Sequence, residues 1–144
     1  MFRFRLESIL TQRRHVEETF QKELAEASQE LAAAQAVLRE AKDTRRQCMR
    51  DMRRKQRDRF RADDILLYYP YLERLKQEIE LHMKRVAAAE RKVAQKRQAL
   101  LEAMKKRKIL DKLKEKQFQT HLKAEAGREQ RFTDESAAQQ HSRG

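Results

Sequence analysis

Chemistry in this chain can come from few side chains. The histidines, at positions 15, 82, 121 and 141, are spread out, and no two have the four-residue spacing that brings metal ligands onto one helical face. Glu78 and His82 do have that spacing, but one carboxylate beside one imidazole makes a solvated contact, not a metal centre. Cys48 is the single cysteine; it falls on an apolar stripe described below, which suits a small buried thiol better than a reactive one. The only glycines are Gly127 and Gly144, so no glycine-rich phosphate loop can form. No catalytic, cofactor or metal site is expected, and no enzymatic role.

Two clusters invite contacts instead of catalysis. Arg45, Arg46, Arg50, Arg53, Arg54, Lys55, Arg57, Arg59 and Arg61 form a basic stretch whose only acids are Asp51 and Asp58. It reads either as a solvated helical face or as a contact with something acidic: a protein, anionic lipid or nucleic acid. It lacks the interleaved aromatics of a single-strand binder, and no nucleic-acid partner is expected. The second cluster is Tyr68, Tyr69 and Tyr71 with Leu72, which gathers all three tyrosines of the chain. Such aromatics could close one end of a hairpin or serve as a docking site, and docking is favoured.

Composition sets the elements that must carry these clusters. Ala, Glu, Lys, Leu and Arg supply 84 of the 144 residues, with two glycines and one proline. That is the signature of long helices, and sheets are excluded. From Leu6, steps of four and three pass through Leu6, Leu10, Arg13, Glu17, Phe20, Leu24, Ala27, Leu31, Ala34, Leu38, Ala41, Arg45, Cys48 and Met52. A second series runs Leu72, Leu75, Ile79, His82, Val86, Ala89, Val93, Lys96, Leu100, Ala103, Arg107 and Leu110. Both are heptad seams, broken by charge at only a few positions.

The pattern fails once, between Arg61 and Tyr71, where Asp63 or Asp64 can cap a helix start and Pro70 suits a first helical position. One break makes one hairpin: first helix 1–60, turn 61–70, second helix 71–126, then a frayed tail 127–144 after Gly127. With the apex near Asp63, residue i faces roughly residue 126 minus i, which places Leu6 beside His121 and Leu122. The acids Glu17, Glu18, Glu23, Glu26 and Glu30 then lie opposite the basic residues among 96–109, which favours antiparallel pairing. The expected fold is all-α, a long antiparallel two-helix coiled-coil hairpin. At 1.5 Å per residue, arms of about 55 residues make a rod of about 80 Å. Met1 to Leu10 is too short and charged for an export signal, and the longest apolar run, Ile65 to Leu72 counting Pro70, is far below the roughly 18 residues of a membrane span. A cytoplasmic protein without membrane insertion is expected.

The opening Phe2-Arg3-Phe4-Arg5-Leu6-Glu7-Ser8-Ile9-Leu10 with Arg13-Arg14 resembles the start of the FliJ family of flagellar export proteins. Tyr68-Tyr69-Pro70-Tyr71-Leu72-Glu73-Arg74-Leu75, the run Lys108 to Lys116, and Phe132-Thr133-Asp134-Glu135 are similar to later parts of the family. The resemblance implies a non-enzymatic component of the flagellar type III export apparatus, with a hairpin like the central stalk of rotary ATPases. Implied partners are the export ATPase FliI, whose ring assembly it promotes, the export gate protein FlhA, and flagellar export chaperones. The implied location is cytoplasmic, peripheral to the inner membrane at the flagellar base, with a role in flagellum biogenesis and motility.

Carried over by residue, the gate contact falls on Tyr71, Leu75 and His82, with Glu78 interrupting the stripe. The matching positions on the first helix, Val37, Ala41, Thr44 and Cys48, lack aromatic character and are not carried over. The ATPase contact falls on the paired ends, at Phe4, Leu6, Leu10, Arg13, Arg14, Leu110, Leu113 and Phe118. Two alternatives stand beside this reading: the related stalk of a virulence type III secretion system, and a basic rod that binds nucleic acid with a steep dependence on salt.

Overall fold

A computed structural model of the chain describes residues 1–58 and 62–143, with backbone alone at 62 and 63. Arg59 and Arg61 of the basic stretch lie outside the described residues. Helix α1 spans Glu7–Arg57, α2 spans Ala62–Leu66 and α3 spans Tyr68–Arg143, with no strand among the described residues. The fold is all-α, as its composition dictates.

Local chemistry explains most of the boundaries. The Glu7 amide donates to the Phe4 carbonyl at 3.1 Å, and the Glu7 carboxylate faces the positive end of the helix dipole. At the other end of α1, Arg54, Lys55 and Arg57 occupy the last turn, where cations are favoured. The second long helix begins at Tyr68, three residues before the expected start. Pro70 therefore occupies its first turn, where an amide would have no intrahelical acceptor and its absence costs nothing. Neither Asp63 nor Asp64 starts a helix, because both fall inside α2.

Gly127 does not end α3, which continues to Arg143. One glycine in a helix interior costs about 1 kcal/mol, and it is flanked by strong helix formers, Ala124-Glu125-Ala126 and Arg128-Glu129-Gln130. Further along, Gln130 donates to Asp134 at 3.2 Å one turn later. Most side chains beyond Lys123 are exposed, so this extension is held by local helix chemistry.

The chain divides into two compact units. The terminal unit pairs Met1–Thr19 with Leu101–Gly144; the hairpin unit is Phe20–Leu100. Both expected seams are the packed faces: all positions of the second are withdrawn from solvent, and all of the first except Arg45. Phe4, Leu10 and Ala103 form the core of the terminal unit, and Ala27, Cys48, Leu75, Ile79 and Val93 that of the hairpin unit.

Pairing is antiparallel in each unit. Glu7 meets Lys114 at 2.8 Å and Glu17 meets Arg107 at 2.7 Å in the terminal unit. In the hairpin unit Glu23 meets Lys96 at 3.2 Å and Glu30 meets Lys92 at 2.9 Å. The acidic run thus faces basic residues as the charge pattern requires, but with a register shifted by up to two helical turns from the expected one. Phe2, not Leu6, reaches the end of the pair, its ring centroid 5.3 Å from Phe118 and 5.6 Å from His121.

Among the described residues Leu10 is the largest side chain with no exposed surface. Leu10→Ala is expected to lower stability by about 2 to 4 kcal/mol through lost burial and a residual cavity, measured by urea unfolding of the full chain. Ile9→Ala, at a neighbouring exposed position, should cost under about 1 kcal/mol.

Candidate functional site

The strongest polar constellation joins two charged exceptions to the apolar seams. Glu17 is the one buried charged residue among the described side chains, and Arg107 meets it with a fork: Nε donates to Oε2 at 2.7 Å and Nη2 to Oε1 at 3.1 Å. Arg107 Nη1 also donates to Asp111 at 2.9 Å, and Asp111 accepts from Arg14 at 3.2 Å. The Arg107 hydrogen bond holds the Glu17 carboxyl below its ordinary range, outweighing the desolvation that pushes it up. Asp111 is lowered for the same reason, with Arg14 adding to the effect. Every charge in this network is compensated, so it acts as a structural lock.

A groove on the hairpin unit runs beside Tyr71. Val37, Glu40, Ala41 and Thr44 of α1 line one side, and Tyr71, Arg74, Leu75, Glu78 and His82 of α3 the other. The structure thus brings Val37, Ala41 and Thr44, set aside in the sequence, beside the three gate-contact candidates. Leu75 forms the floor at 5% exposure, whereas Tyr71 is 39% exposed. His82 is half-buried. Arg74 lies over the Tyr71 ring at 5.5 Å, which gives the rim a cationic edge. Cys48 is buried below a neighbouring depression, where burial raises its thiol pKa.

The tyrosine cluster divides its roles. Lys55 lies over the Tyr68 ring at 5.0 Å, which ties the end of α1 to the start of α3. Tyr69 and Tyr71 remain exposed. In the basic stretch, Arg46 pairs with Asp43 and Arg54 with Asp51 along the helix, and Arg45, Arg50, Arg53 and Arg57 are exposed.

The candidates on the paired ends are mostly internal. Phe4 and Leu10 are buried, while Leu6, Arg13, Leu110 and Leu113 are half-buried. Arg14 is engaged with Asp111, and Phe118 is exposed but packed against Phe2. Ile9 and Ile109 are instead exposed apolar residues of the terminal unit. Their signal was readable: each stands one position off a seam leucine, Leu10 or Leu110, and so turns outward.

No described helix is long and apolar enough to cross a membrane, and no group of three potential metal ligands occurs among the described residues. Two seam-paired helices with a groove across them define a coiled-coil hairpin protein suited to contacts. The chain belongs to the FliJ family: the family model described as the flagellar FliJ protein matches residues 1–144. In fold it is similar to a solved structure from Chlamydia trachomatis, CT670, described as a homolog of YscO, with 23% identity and a TM-score of 0.66 over 99% of this chain and 96% of that one. A search of curated protein sequences gives no match.

Acid should weaken the lock. A carboxyl whose pKa is depressed on folding stabilises the fold above its unfolded value, here near 4.5 for Glu17, and that stability disappears as pH falls through the lower folded value. Urea midpoints followed by circular dichroism should therefore fall below about pH 4.5, and Glu17→Gln should lower the neutral-pH midpoint while flattening the acid dependence.

Proposed function

We propose that this chain is a non-catalytic stalk and adaptor of the flagellar type III export apparatus. Its terminal unit engages the ring of the export ATPase FliI, its hairpin-unit groove engages the gate protein FlhA, and it escorts export chaperones at the cytoplasmic face of the inner membrane. The observation that supports this reading is the groove, because Tyr71, Leu75 and His82, the three gate-contact candidates, line one recessed surface. The full-length family match supports a flagellar system over a virulence one.

The buried seam leaves some of these candidates more accessible than others. Leu75 supports the groove floor, so its removal would disturb packing as well as docking. Tyr71 and His82 line the walls. At the paired ends, Ile9 and Ile109 present apolar surface, whereas Phe4 and Leu10 hold the unit together.

Titrating the protein into FliI, with ATP hydrolysis and light scattering followed together, should show stimulated hydrolysis and ring formation. Ile9→Asp with Ile109→Asp should reduce that stimulation about tenfold or more without loss of helix content; undiminished stimulation would remove the terminal unit from the contact. Tyr71→Ala with His82→Ala should weaken binding to the FlhA cytoplasmic domain about tenfold at unchanged thermal midpoint, as read by calorimetry. Equal affinity would refute docking at the groove.

A further inference from the structure

The end of the hairpin unit carries a combination that neither seam nor groove uses. Leu66, Leu67 and Tyr69 are 60%, 74% and 55% exposed, and they fall within four residues at the junction of α2 and α3. Approaching this junction along α1, Arg46, Arg50, Arg53 and Arg57 recur at steps of four, three and four, which places them in one stripe. Arg50, Arg53 and Arg57 make no ion pair among the described residues, while Arg46 and Arg54 are held by acids on their own helix. Over 45–61 the sequence has nine cations against two acids, followed by Asp63 and Asp64.

We propose that this tip docks on the surface of an anionic lipid bilayer, with Leu66, Leu67 and Tyr69 entering the headgroup boundary and the arginine stripe lying against lipid phosphates. Charge complementarity and the apolar cap together select this partner. A bilayer with anionic headgroups offers negative charge at its face and apolar depth within about 5–10 Å, so it satisfies both halves of the tip. A tyrosine suits that boundary because its ring is apolar and its hydroxyl stays wet. Nucleic acid would answer the arginines but leave Leu66 and Leu67 in water. Attachment is shallow and reversible, since a short apolar cap alone anchors weakly and the charges supply the second signal.

The test needs no other protein, so its result is independent of the ATPase and gate contacts. Full-length protein is sedimented with vesicles of phosphatidylcholine alone or mixed with phosphatidylglycerol. Binding is expected only to the mixed vesicles. Arg50→Ala with Arg53→Ala should weaken it roughly 30-fold, at about fivefold per arginine, and Leu66→Ser with Leu67→Ser about tenfold or more at unchanged helix content. Because the chain has no tryptophan, Leu67→Trp provides a single fluorophore whose emission should shift to the blue on the mixed vesicles and be quenched by brominated acyl chains. Absence of binding, equal binding to neutral vesicles, undiminished binding of the leucine variant, an unshifted Leu67→Trp emission, or displacement by duplex DNA at equal phosphate would each overturn the proposal.

Discussion

A carboxylate and a guanidinium facing each other inside an apolar seam set the terms for the terminal unit. Leucine and alanine at heptad positions attract any similar seam, and sliding one helix by a heptad would leave much of that attraction intact. A slip of one heptad breaks the fork between Glu17 and Arg107, and a carboxylate left without a counter-charge in a packed seam is strongly disfavoured. The forked geometry, at 2.7 and 3.1 Å, adds directional selection to the charge. In the hairpin unit Lys96, another charged seam position, meets Glu23. Apolar burial makes the helices pair; the charged exceptions decide where.

That division of labour determines which side chains remain for partners. A two-helix pair has one interior stripe, and side chains assigned to it cannot also meet another molecule. Leu10, Phe4 and Leu75 are spent on this stripe. Residues half a step away, such as Ile9, Ile109 and Tyr71, keep exposed apolar surface because they sit at the seam's margin. The groove follows from the same constraint: Ala41 and Thr44 are small, so α1 leaves room there beside Tyr71 and His82.

Helices and seams were legible in the sequence because the heptad signal is long and the chain has almost no breakers. The charged exceptions were visible too, but their mutual pairing was not, since a seven-residue repeat is compatible with several alignments and the expected alignment differed from the observed one. Gly127 carries a local stop signal, but the helix formers around it outweigh that signal and α3 continues. The site residues implied by resemblance were legible as positions and not as exposures: the repeat marks Leu75 and Leu10 as apolar, but only packing shows that they face inward. Tyr68 illustrates the same limit, because its role in tying α3 to Lys55 depends on a contact between residues on opposite sides of the turn.

The continuation of α3 to Arg143 has a consequence for cooperativity. Where two helices share a seam, opening one turn exposes apolar surface on both, so loss of structure spreads. Beyond Lys123 most side chains face water, and each turn can open at little more than the price of its own backbone hydrogen bonds. The chain thus joins a segment that melts as a block to one that melts by degrees.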